Sequence, residues 1–340
     1  MDNRFKARLG LTIGDTNGIG PEVIIKTLSD QRILNFCTPV IYASANVLNK
    51  VRKALSAEHF HYQQVASVQA IVPKKVNLIS CIDEALEVNL GNPTPESGKA
   101  SLDSLMAACK DLKAGLLDGI VTAPIDKENI QTDEFRFPGH TEFLTSYFDA
   151  PESLMLLVSE NLRVATITGH MAVKDVSSKI SFDLIIRKVT ILLESLRKDF
   201  GILKPRIAIL GLNPHAGENG LLGTEEQEII RPAIMHLKEK GHLIFGPYPA
   251  DGFFGMQQYK QFDAVVSMYH DQGLIPFKTL AFENGVNFTA GLPVVRTSPD
   301  HGTAYSIADK HTASETSFKE ALFLACDVIK KRTAEQMPVV

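Results

Sequence analysis

The sequence feature that most constrains the fold is an alternation of short apolar runs with longer segments of helical period. Apolar side chains recur at three-to-four spacing over residues 102–116, 182–196 and 318–329, which is typical of amphipathic helices that pack on a sheet. Residues 225–241 predict another helix, which ends at Gly241. The alternation predicts an α/β protein with a largely parallel sheet. The candidate strands are "LGLTIG", "TPVIYAS", "DGIVTAP", "RVATITG", "RIAILGL" and "DAVVSMY".

The size and charge of the chain narrow the class of protein further. With 340 residues it is longer than one hydrophobic core usually supports, which predicts two domains. A formal net charge of -4 gives no indication of binding to nucleic acid or to an anionic membrane. No two cysteines have C-x-x-C spacing, which favours a reducing cytoplasm. The start lacks the apolar segment of a signal peptide, and no apolar run reaches the roughly 18 residues of a membrane span.

Three of the candidate strands lead to a histidine, namely His170, His215 and His270. Ligands of open α/β sheets bind beyond the carboxyl ends of the strands, so we expect the three imidazoles to meet there. Three neutral imidazoles leave a coordination position open on a divalent cation, which suits a catalytic metal. Softness alone favours zinc, cobalt or manganese over magnesium. The alternative is that each histidine is a hydrogen-bonded loop residue.

Two further segments predict a site for an anion. In "FPGHTEFL", His140 and Thr141 stand at the expected start of a helix, where free N–H groups favour a phosphate or carboxylate, although Thr141 is equally suited to be an N-cap. Residues 277–304, rich in glycine and proline, contain Lys278, Asn287 and Arg296. Such cations contact phosphate oxygens well, which indicates an anionic substrate, but isolated charges are usually solvated.

The segment "GDTNGIGPE", residues 14–22, places three glycines between a strand and a helix that begins near Pro21. Glycines let the backbone approach a ligand, and the helix start can face an anion. The spacing differs from the G-x-G-x-x-G fingerprint of dinucleotide-binding proteins, so a plain strand-to-helix turn is the alternative.

Taken together, the chain resembles a known family. The blocks "GDTNGIGPE", "FPGHTEF", "LGLNPHAGENGLLGTEE", "YPADGFF", "YHDQGLIPFK" and "NGVNFTAGLPVVRTSPDHGTA" are similar, in order and across nearly the whole chain, to those of the 4-hydroxythreonine-4-phosphate dehydrogenase family. The first block also resembles the opening of isocitrate and isopropylmalate dehydrogenases. The resemblance implies their two-domain fold with a cleft. We expect a dinucleotide-binding domain over 1–132 plus 285–340, and a substrate, metal and dimerisation domain over 133–284.

The resemblance also implies roles for particular residues. It implies a homodimer in which three histidines hold a divalent metal (zinc, cobalt or magnesium) at a site shared near the interface, with NAD or NADP as cofactor. The metal ligands would be His170, His215 and His270, and the phosphorylated substrate would contact His140, Thr141, Lys278, Asn287 and Arg296. Candidates for catalytic roles are Lys278, Asp251 and Asp271. Expected cofactor contacts are Gly14, Asp15, Gly18, Gly20, Asp300, His301 and Gly302.

The reaction implied is oxidation of 4-phosphooxy-L-threonine and decarboxylation to 3-amino-2-oxopropyl phosphate, in pyridoxine 5'-phosphate biosynthesis. The chain departs from the family at Thr16 and Asn17, where many members have Pro-Ala, and at "TGHMAVKDV" around His170. A sister group oxidises phosphorylated threonate and is the first alternative. A metal-dependent phosphoester hydrolase and a non-catalytic binding protein are the others.

Overall fold

The computed structural model describes residues 6–133 and 135–336 and divides the chain into two compact units. Unit 1 comprises the residues up to 150 together with those from 292 onwards, and unit 2 comprises residues 151–291. Strands and helices are numbered below in chain order through both units.

Unit 1 contains a parallel sheet with the strand order β3-β4-β2-β1-β5-β12. Its strands are β1 (Ala7–Thr12), β2 (Cys37–Ala43), β3 (Gln63–Gln64), β4 (Asn77–Ser80), β5 (Gly119–Thr122) and β12 (Val295–Pro299). Its helices are α1 (Gly20–Ser29), α2 (Ala45–Ala54), α3 (Pro95–Lys113), α4 (His140–Tyr147), α10 (Tyr305–Ala308) and α11 (Thr316–Gln336).

Unit 2 contains a mixed sheet with the strand order β11-β6-β7-β10-β8-β9. The pairs β11–β6 and β6–β7 are antiparallel, whereas β7, β10, β8 and β9 run parallel. The strands are β6 (Leu154–Val158), β7 (Arg163–Thr166), β8 (Arg206–Leu210), β9 (Leu243–Tyr248), β10 (Ala264–Ser267) and β11 (Val286–Ala290). The helices are α5 (Val173–Lys179), α6 (Phe182–Lys198), α7 (Arg231–Glu239), α8 (Ala250–Gly255) and α9 (His270–Ala281), with a π-helical turn over Glu226–Ile230 before α7.

The six strands predicted from apolar runs are confirmed as β1, β2, β5, β7, β8 and β10. The helices predicted over 102–116, 182–196 and 318–329 are confirmed as α3, α6 and α11. The α3 helix begins at a capping box in which Thr94 and Ser97 exchange hydrogen bonds, which explains why it starts in the Pro-rich segment before residue 102. The start of α3 therefore follows a local sequence signal.

The divisions between the units differ from those expected, which were 132/133 and 284/285. Helix α4 belongs to unit 1 because Phe143 and Leu144 are buried in the same cluster as Leu105 and Cys109 of α3. Residues 286–290 belong to unit 2 because β11 pairs with β6 in register. His140 and Thr141 therefore lie in unit 1, and Asn287 lies in unit 2. Among the described residues, no helix is both long enough and apolar enough to span a membrane.

Candidate active site

The three strand-end histidines lie at one edge of the unit 2 sheet. Strands β7, β10 and β8 are adjacent and parallel, and their carboxyl ends lead to His170, His270 and His215 respectively. Backbone bonds continue past the strands, because Ile167 donates to the Ser267 carbonyl at 2.9 Å and Thr168 donates to the Met268 carbonyl at 3.2 Å. The expected convergence at a sheet edge is thus present in the backbone.

Two of the three imidazoles are neighbours. The ring centroids of His170 and His270 are 5.2 Å apart, with a tilt of 44° between the rings. They line a pocket of about 430 Å³, and its remaining wall is formed by the residues on either side of them. These other lining residues are Gly169, Met171, Val173, Val176, Tyr269 and Asp271.

Asp271 has a defined contact with this pair. Its Oδ1 lies 2.7 Å from Nδ1 of His270. Because an ionised carboxylate only accepts hydrogen bonds, His270 in its neutral form donates from Nδ1 and keeps a lone pair on Nε2. A carboxylate behind an imidazole is the arrangement that orients histidine ligands of metal ions. The chemistry of the donor set therefore fits a divalent transition metal.

His215 lies apart from this pair, on an unusual turn after β8. The turn spans Pro214–Gly220, and the five residues from His215 to Asn219 all have positive φ, between 40° and 79°. Within the part of the chain that the structure describes, no three His, Cys, Asp or Glu side chains converge closely enough to hold a metal ion by themselves. One chain thus assembles two of the predicted ligands, and the metal assignment of all three stays a prediction.

Unit 1 contains a buried cation. Arg296 on β12 is only 2% exposed, and its Nε and Nη2 donate to Oγ1 of Thr122 on the neighbouring strand β5, at 3.1 and 2.7 Å. Burial lowers the pKa of Arg296 to about 10, although Cys109 and Glu142 act in the opposite direction. A guanidinium held away from water at this cost is suited to an anionic ligand.

His140 and Thr141 are the first two residues of α4, whose N-cap residue is Gly139 and which has no side-chain cap. The interpretation of Thr141 as an N-cap is therefore wrong, because the N-cap position is occupied by Gly139, two residues earlier. Burial, followed by the charges of Arg296 and Lys127, holds the pKa of His140 well below its usual value. The Nε2 atom of His140 is buried and has no hydrogen-bond partner among residues 6–133 and 135–336. A neutral imidazole, a guanidinium and uncapped helix N–H groups thus share one electropositive region.

The other predicted substrate and catalytic residues lie in unit 2. Lys278 is half-buried on α9, the helix that begins with His270. Asn287 is half-buried on β11, and its Oδ1 is buried without a partner among the described residues. Asp251 is exposed on α8, which follows β9 at the same edge of the sheet as His215. Their roles stay predictions.

The predicted cofactor residues from the two ends of the chain are neighbours in unit 1. The N–H of Ile19 donates to the Thr303 carbonyl at 3.0 Å, and a Cβ on Gly18 would lie 2.8 Å from that oxygen. Gly18 is thus required for the loop over 300–304, which includes Asp300, His301 and Gly302, to pack on the glycine-rich turn. Gly14 and Gly20 allow equally close backbone contacts, since a Cβ on either would lie 2.3 Å from a carbonyl oxygen.

Asp15 is buried and forms hydrogen bonds that join the glycine-rich turn to three other segments of unit 1. It is 1% exposed, and its Oδ2 accepts hydrogen bonds from Ser97, Asn129 and Tyr305 at 3.1, 3.2 and 2.9 Å. Asn17 bonds the segment before α3, because its side chain donates to the Asn92 carbonyl at 2.8 Å and accepts from the Asn89 amide at 2.8 Å. The departure from the usual Pro-Ala at 16–17 therefore adds polar contacts to that segment.

That segment borders a cleft of about 620 Å³ in unit 1, which was not predicted from the sequence. Its polar lining is mainly acidic, and Lys99 is paired with Asp103 at 2.7 Å. Carboxylates suit the hydroxyl groups of a ribose. The lining residues are Ile82, Asp83, Ala85, Leu86, Glu87, Asn89, Thr94, Glu96, Lys99, Ala100 and Asp103.

Sequence reasoning also missed residues that support the site. Thr122, which binds Arg296, stands at the end of the predicted strand "DGIVTAP", and a strand-end hydroxyl was an available signal. Gln272 joins two histidine segments, because its Oε1 accepts from the Met268 amide at 2.7 Å and its Nε2 donates to the Gly211 carbonyl at 2.6 Å. Only the three-dimensional contact reveals that role.

Comparison with known proteins identifies the family. Residues 35–325 match the family described as "Pyridoxal phosphate biosynthetic protein PdxA". The chain belongs to the PdxA family. The family resemblance inferred from the ordered sequence blocks is thereby confirmed.

Two curated relatives illustrate the range of names among similar proteins. The 4-hydroxythreonine-4-phosphate dehydrogenase of Bacteroides thetaiotaomicron is 50% identical over 97% of this chain and 91% of its own length. A putative D-threonate 4-phosphate dehydrogenase of Oceanobacillus iheyensis is 37% identical over 95% of this chain and 98% of its own. Both relatives are named as dehydrogenases, so the PdxA family assignment supports an oxidoreductase that uses a nicotinamide cofactor.

Solved structures confirm the predicted fold class. A 4-hydroxythreonine-4-phosphate dehydrogenase from Klebsiella pneumoniae has a TM-score of 0.81 at 33% identity, covering 96% of this chain and 99% of that one. An isocitrate dehydrogenase from Methylococcus capsulatus has a TM-score of 0.51 at 14% identity, covering 96% and 87%, which shows similarity of fold alone.

Proposed function

We propose that this protein oxidises 4-phosphooxy-L-threonine with NAD or NADP and then decarboxylates the product to 3-amino-2-oxopropyl phosphate, in pyridoxine 5'-phosphate biosynthesis. The observation that carries the proposal is the buried Arg296 beside His140 and the uncapped start of α4, since this region suits a phosphate group. The 50% identity to a relative with this name supports the same substrate.

In the proposed mechanism, unit 1 residues bind the phosphate. The Arg296 guanidinium and the N–H groups at the start of α4 donate to its oxygens, and the neutral His140 donates or accepts from Nε2. Arg296 is buried and His140 is half-buried, which limits the access of water to the phosphate and fixes the orientation of the substrate. Asn287, whose Oδ1 is buried without a partner in the described chain, is proposed to accept from a donor group of the substrate.

A divalent ion held by His170, His215 and His270 would lower the pKa of the substrate hydroxyl and stabilise negative charge on its oxygen. Asp271 holds the His270 ring so that Nε2 faces away from the carboxylate. Lys278 is proposed to take the proton of the substrate hydroxyl, and the dinucleotide would supply the hydride acceptor. After decarboxylation, Lys278 is proposed to return a proton to the carbon atom that has lost carbon dioxide. Asp251 is proposed to contact the substrate's amine.

The dinucleotide is proposed to bind to unit 1 along the glycine-rich turn and the 300–304 loop. The acidic cleft of about 620 Å³ suits ribose hydroxyls, and the mutual packing of Gly18 and Thr303 gives a compact backbone surface. The bound dinucleotide would supply the hydride acceptor, and the residues of this chain would orient it.

We further propose a homodimer formed through unit 2, with the metal site completed across the interface. Ile275 and Phe282 at α9 are 64% and 75% exposed, and Met171 and Val173 beside His170 are 40% and 75% exposed. Apolar side chains exposed next to a functional pocket favour burial by another protein surface. Light scattering is expected to give twice the chain mass, and Ile275→Glu is expected to shift it towards a monomer.

The second candidate function is oxidation of phosphorylated threonate, which the relative from Oceanobacillus iheyensis favours. An assay of reduced nicotinamide formation, with phosphorylated hydroxythreonine and phosphorylated threonate in parallel, separates the two. We expect faster reduction with hydroxythreonine phosphate, and loss of activity with a chelator. Faster reduction with the threonate would establish the second candidate, and phosphate release without any dinucleotide would indicate a hydrolase instead.

A further inference from the structure

We infer that a polar chain of Ser177, Asn213, Glu225 and Glu226 fixes the turn bearing His215 to the helix that follows His170. These four side chains are called the clamp below. The inference rests on the proposed metal site and assigns the clamp residues as positioning residues for two of its ligands. All four lie in unit 2.

The backbone conformation of the turn at His215 is energetically unfavourable, so contacts with residues outside the turn must stabilise it. Five consecutive residues adopt the left-handed conformation, and only Gly217 among them lacks a side chain. Each non-glycine residue in this conformation costs on the order of 1 kcal/mol. Such a run persists only where surrounding contacts determine it, so the turn holds His215 in place only while those contacts remain.

Glu226 supplies the first of these contacts. Its carboxylate is buried, with 1% of the residue exposed, and Oε1 accepts from the amides of Leu212 and Asn213 at 2.7 Å each. Its Oε2 accepts from Nδ2 of Asn213 at 2.9 Å. A Cβ on Gly217 would lie 2.5 Å from Oε2, so the turn closes directly over this carboxylate. Glu226 thus fixes both ends of the segment that carries His215.

Glu225 extends the clamp to the His170 side. Its Oε2 accepts from the same Nδ2 of Asn213 at 2.7 Å, and its Oε1 accepts from the Ser177 hydroxyl at 2.6 Å. Ser177 lies on α5, which starts three residues after His170 and contributes Val173 and Val176 to the histidine pocket. The Glu225 carboxylate thereby joins the segment that contains His170 to the segment that contains His215.

Gln272 joins the third segment to the same strand end. It lies two residues after His270 and donates to the Gly211 carbonyl at 2.6 Å, immediately before the residues that Glu226 binds. The three histidine segments of one chain are therefore connected by side-chain hydrogen bonds that bypass the histidines themselves. Removing a clamp residue should change how the imidazoles are presented without removing a ligand.

The test measures binding of Co²⁺ alone to the full-length protein after removal of metal, by calorimetry and by the visible absorption of bound Co²⁺. Glu226→Gln retains one oxygen acceptor but places an amide donor against the Asn213 donor. We expect it to weaken Co²⁺ binding by about 10- to 100-fold, as for other residues behind metal ligands. Ser177→Ala removes a single exposed hydroxyl, and we expect roughly 5-fold weaker binding.

Ser195→Ala is the matched control. The Ser195 hydroxyl also donates to a carboxylate at 2.6 Å, that of Asp199, but within α6 and away from the histidines. It should leave the Co²⁺ affinity and spectrum unchanged, whereas Ser177→Thr, which keeps the hydroxyl, should restore them. If the absorption spectrum of bound Co²⁺ changes in Ser177→Ala while the thermal transition of the metal-free protein does not, then Ser177 acts by positioning the metal ligands and not by stabilising the whole fold.

His215→Ala separates this inference from the proposed metal site. If His215→Ala weakens Co²⁺ binding while Ser177→Ala and Glu226→Gln bind as the wild type does, the metal site stands and the clamp is refuted. If His215→Ala binds Co²⁺ normally, the proposed site itself fails. Should Glu226→Gln not fold, Ser177→Ala and its threonine rescue decide the matter alone.

Discussion

Replacing Arg296 by methionine is expected to separate ligand binding from stability. Burial lowers the pKa of Arg296 by more than two units, to about 10. One pH unit corresponds to about 1.4 kcal/mol, so keeping this group charged costs the folded state about 3 kcal/mol. Methionine has a similar length and carries no charge, so Arg296→Met removes that cost.

The gain is offset in part at Thr122, whose buried hydroxyl oxygen loses the two hydrogen bonds from Arg296. Such a loss costs about 1–2 kcal/mol. We therefore expect the free energy of unfolding of the ligand-free variant to stay level or to rise by about 1–2 kcal/mol. Removing a poorly solvated charge is often neutral or stabilising in this way.

Phosphate binding should change in the opposite direction. Hydrogen bonds to a charged group contribute about 2–3 kcal/mol, which corresponds to a loss of roughly 30- to 150-fold in affinity. The assay is urea unfolding with and without inorganic phosphate, whose stabilisation of the wild type should disappear in Arg296→Met. The matched control is Arg163→Met, since Arg163 is a half-buried arginine that stacks on Phe200 in unit 2.

The control should keep the phosphate-induced stabilisation. The reasoning is refuted if Arg296→Met loses several kcal/mol in the absence of phosphate yet is stabilised by phosphate as strongly as the wild type. That result would make Arg296 a structural residue and would remove the main support for a phosphate site in unit 1.

Three other predictions follow from the same structure. Because the pKa of folded His140 lies well below its usual value of 6.5, only the unfolded chain gains this proton as the pH falls below 6.5. Stability contributed by the neutral form is lost in that window, so urea unfolding should give a free energy of unfolding that falls as the pH is lowered below 6.5 in the wild type and falls less in His140→Asn. Tyr305→Phe removes the donor to Asp15 and should lower the free energy of unfolding by roughly 1–2 kcal/mol while raising the KM for dinucleotide; an unchanged KM would contradict a cofactor role for this loop. Chelator treatment should abolish dehydrogenation, with recovery on adding Zn²⁺ or Co²⁺; undiminished turnover would contradict a metal role for His170 and its partners.

The sequence predicted the strands that carry the histidines because their signals are local. An apolar run followed by glycine and histidine marks a strand end whatever its neighbours are. Strand β12 was missed because Arg296 and Pro299 interrupt its apolar pattern, and the burial of that arginine depends on Thr122, far away in sequence. Tertiary partners of this kind leave no local periodicity.

The site was predictable to a similar extent. Sheet topology brings His170 and His270 together, and adjacency of parallel strands follows from general rules for such folds. The position of Asp271 against His270 could not be read from their adjacency in the chain, because neighbouring side chains on a helix usually diverge. The left-handed turn at His215 had no signal apart from its glycines and asparagines.

That turn also sets an unusual rule for sequence variation. Glu218 is exposed, so a scan guided by solvent exposure would treat it as tolerant of any residue. Its φ of 40° instead penalises valine, isoleucine and threonine, whose branched Cβ crowds the left-handed backbone, and accommodates glycine or asparagine. Ala216 obeys the same rule from a buried position. In a saturation library, the residues tolerated at 216–219 would therefore be decided by their compatibility with a left-handed backbone rather than by their polarity.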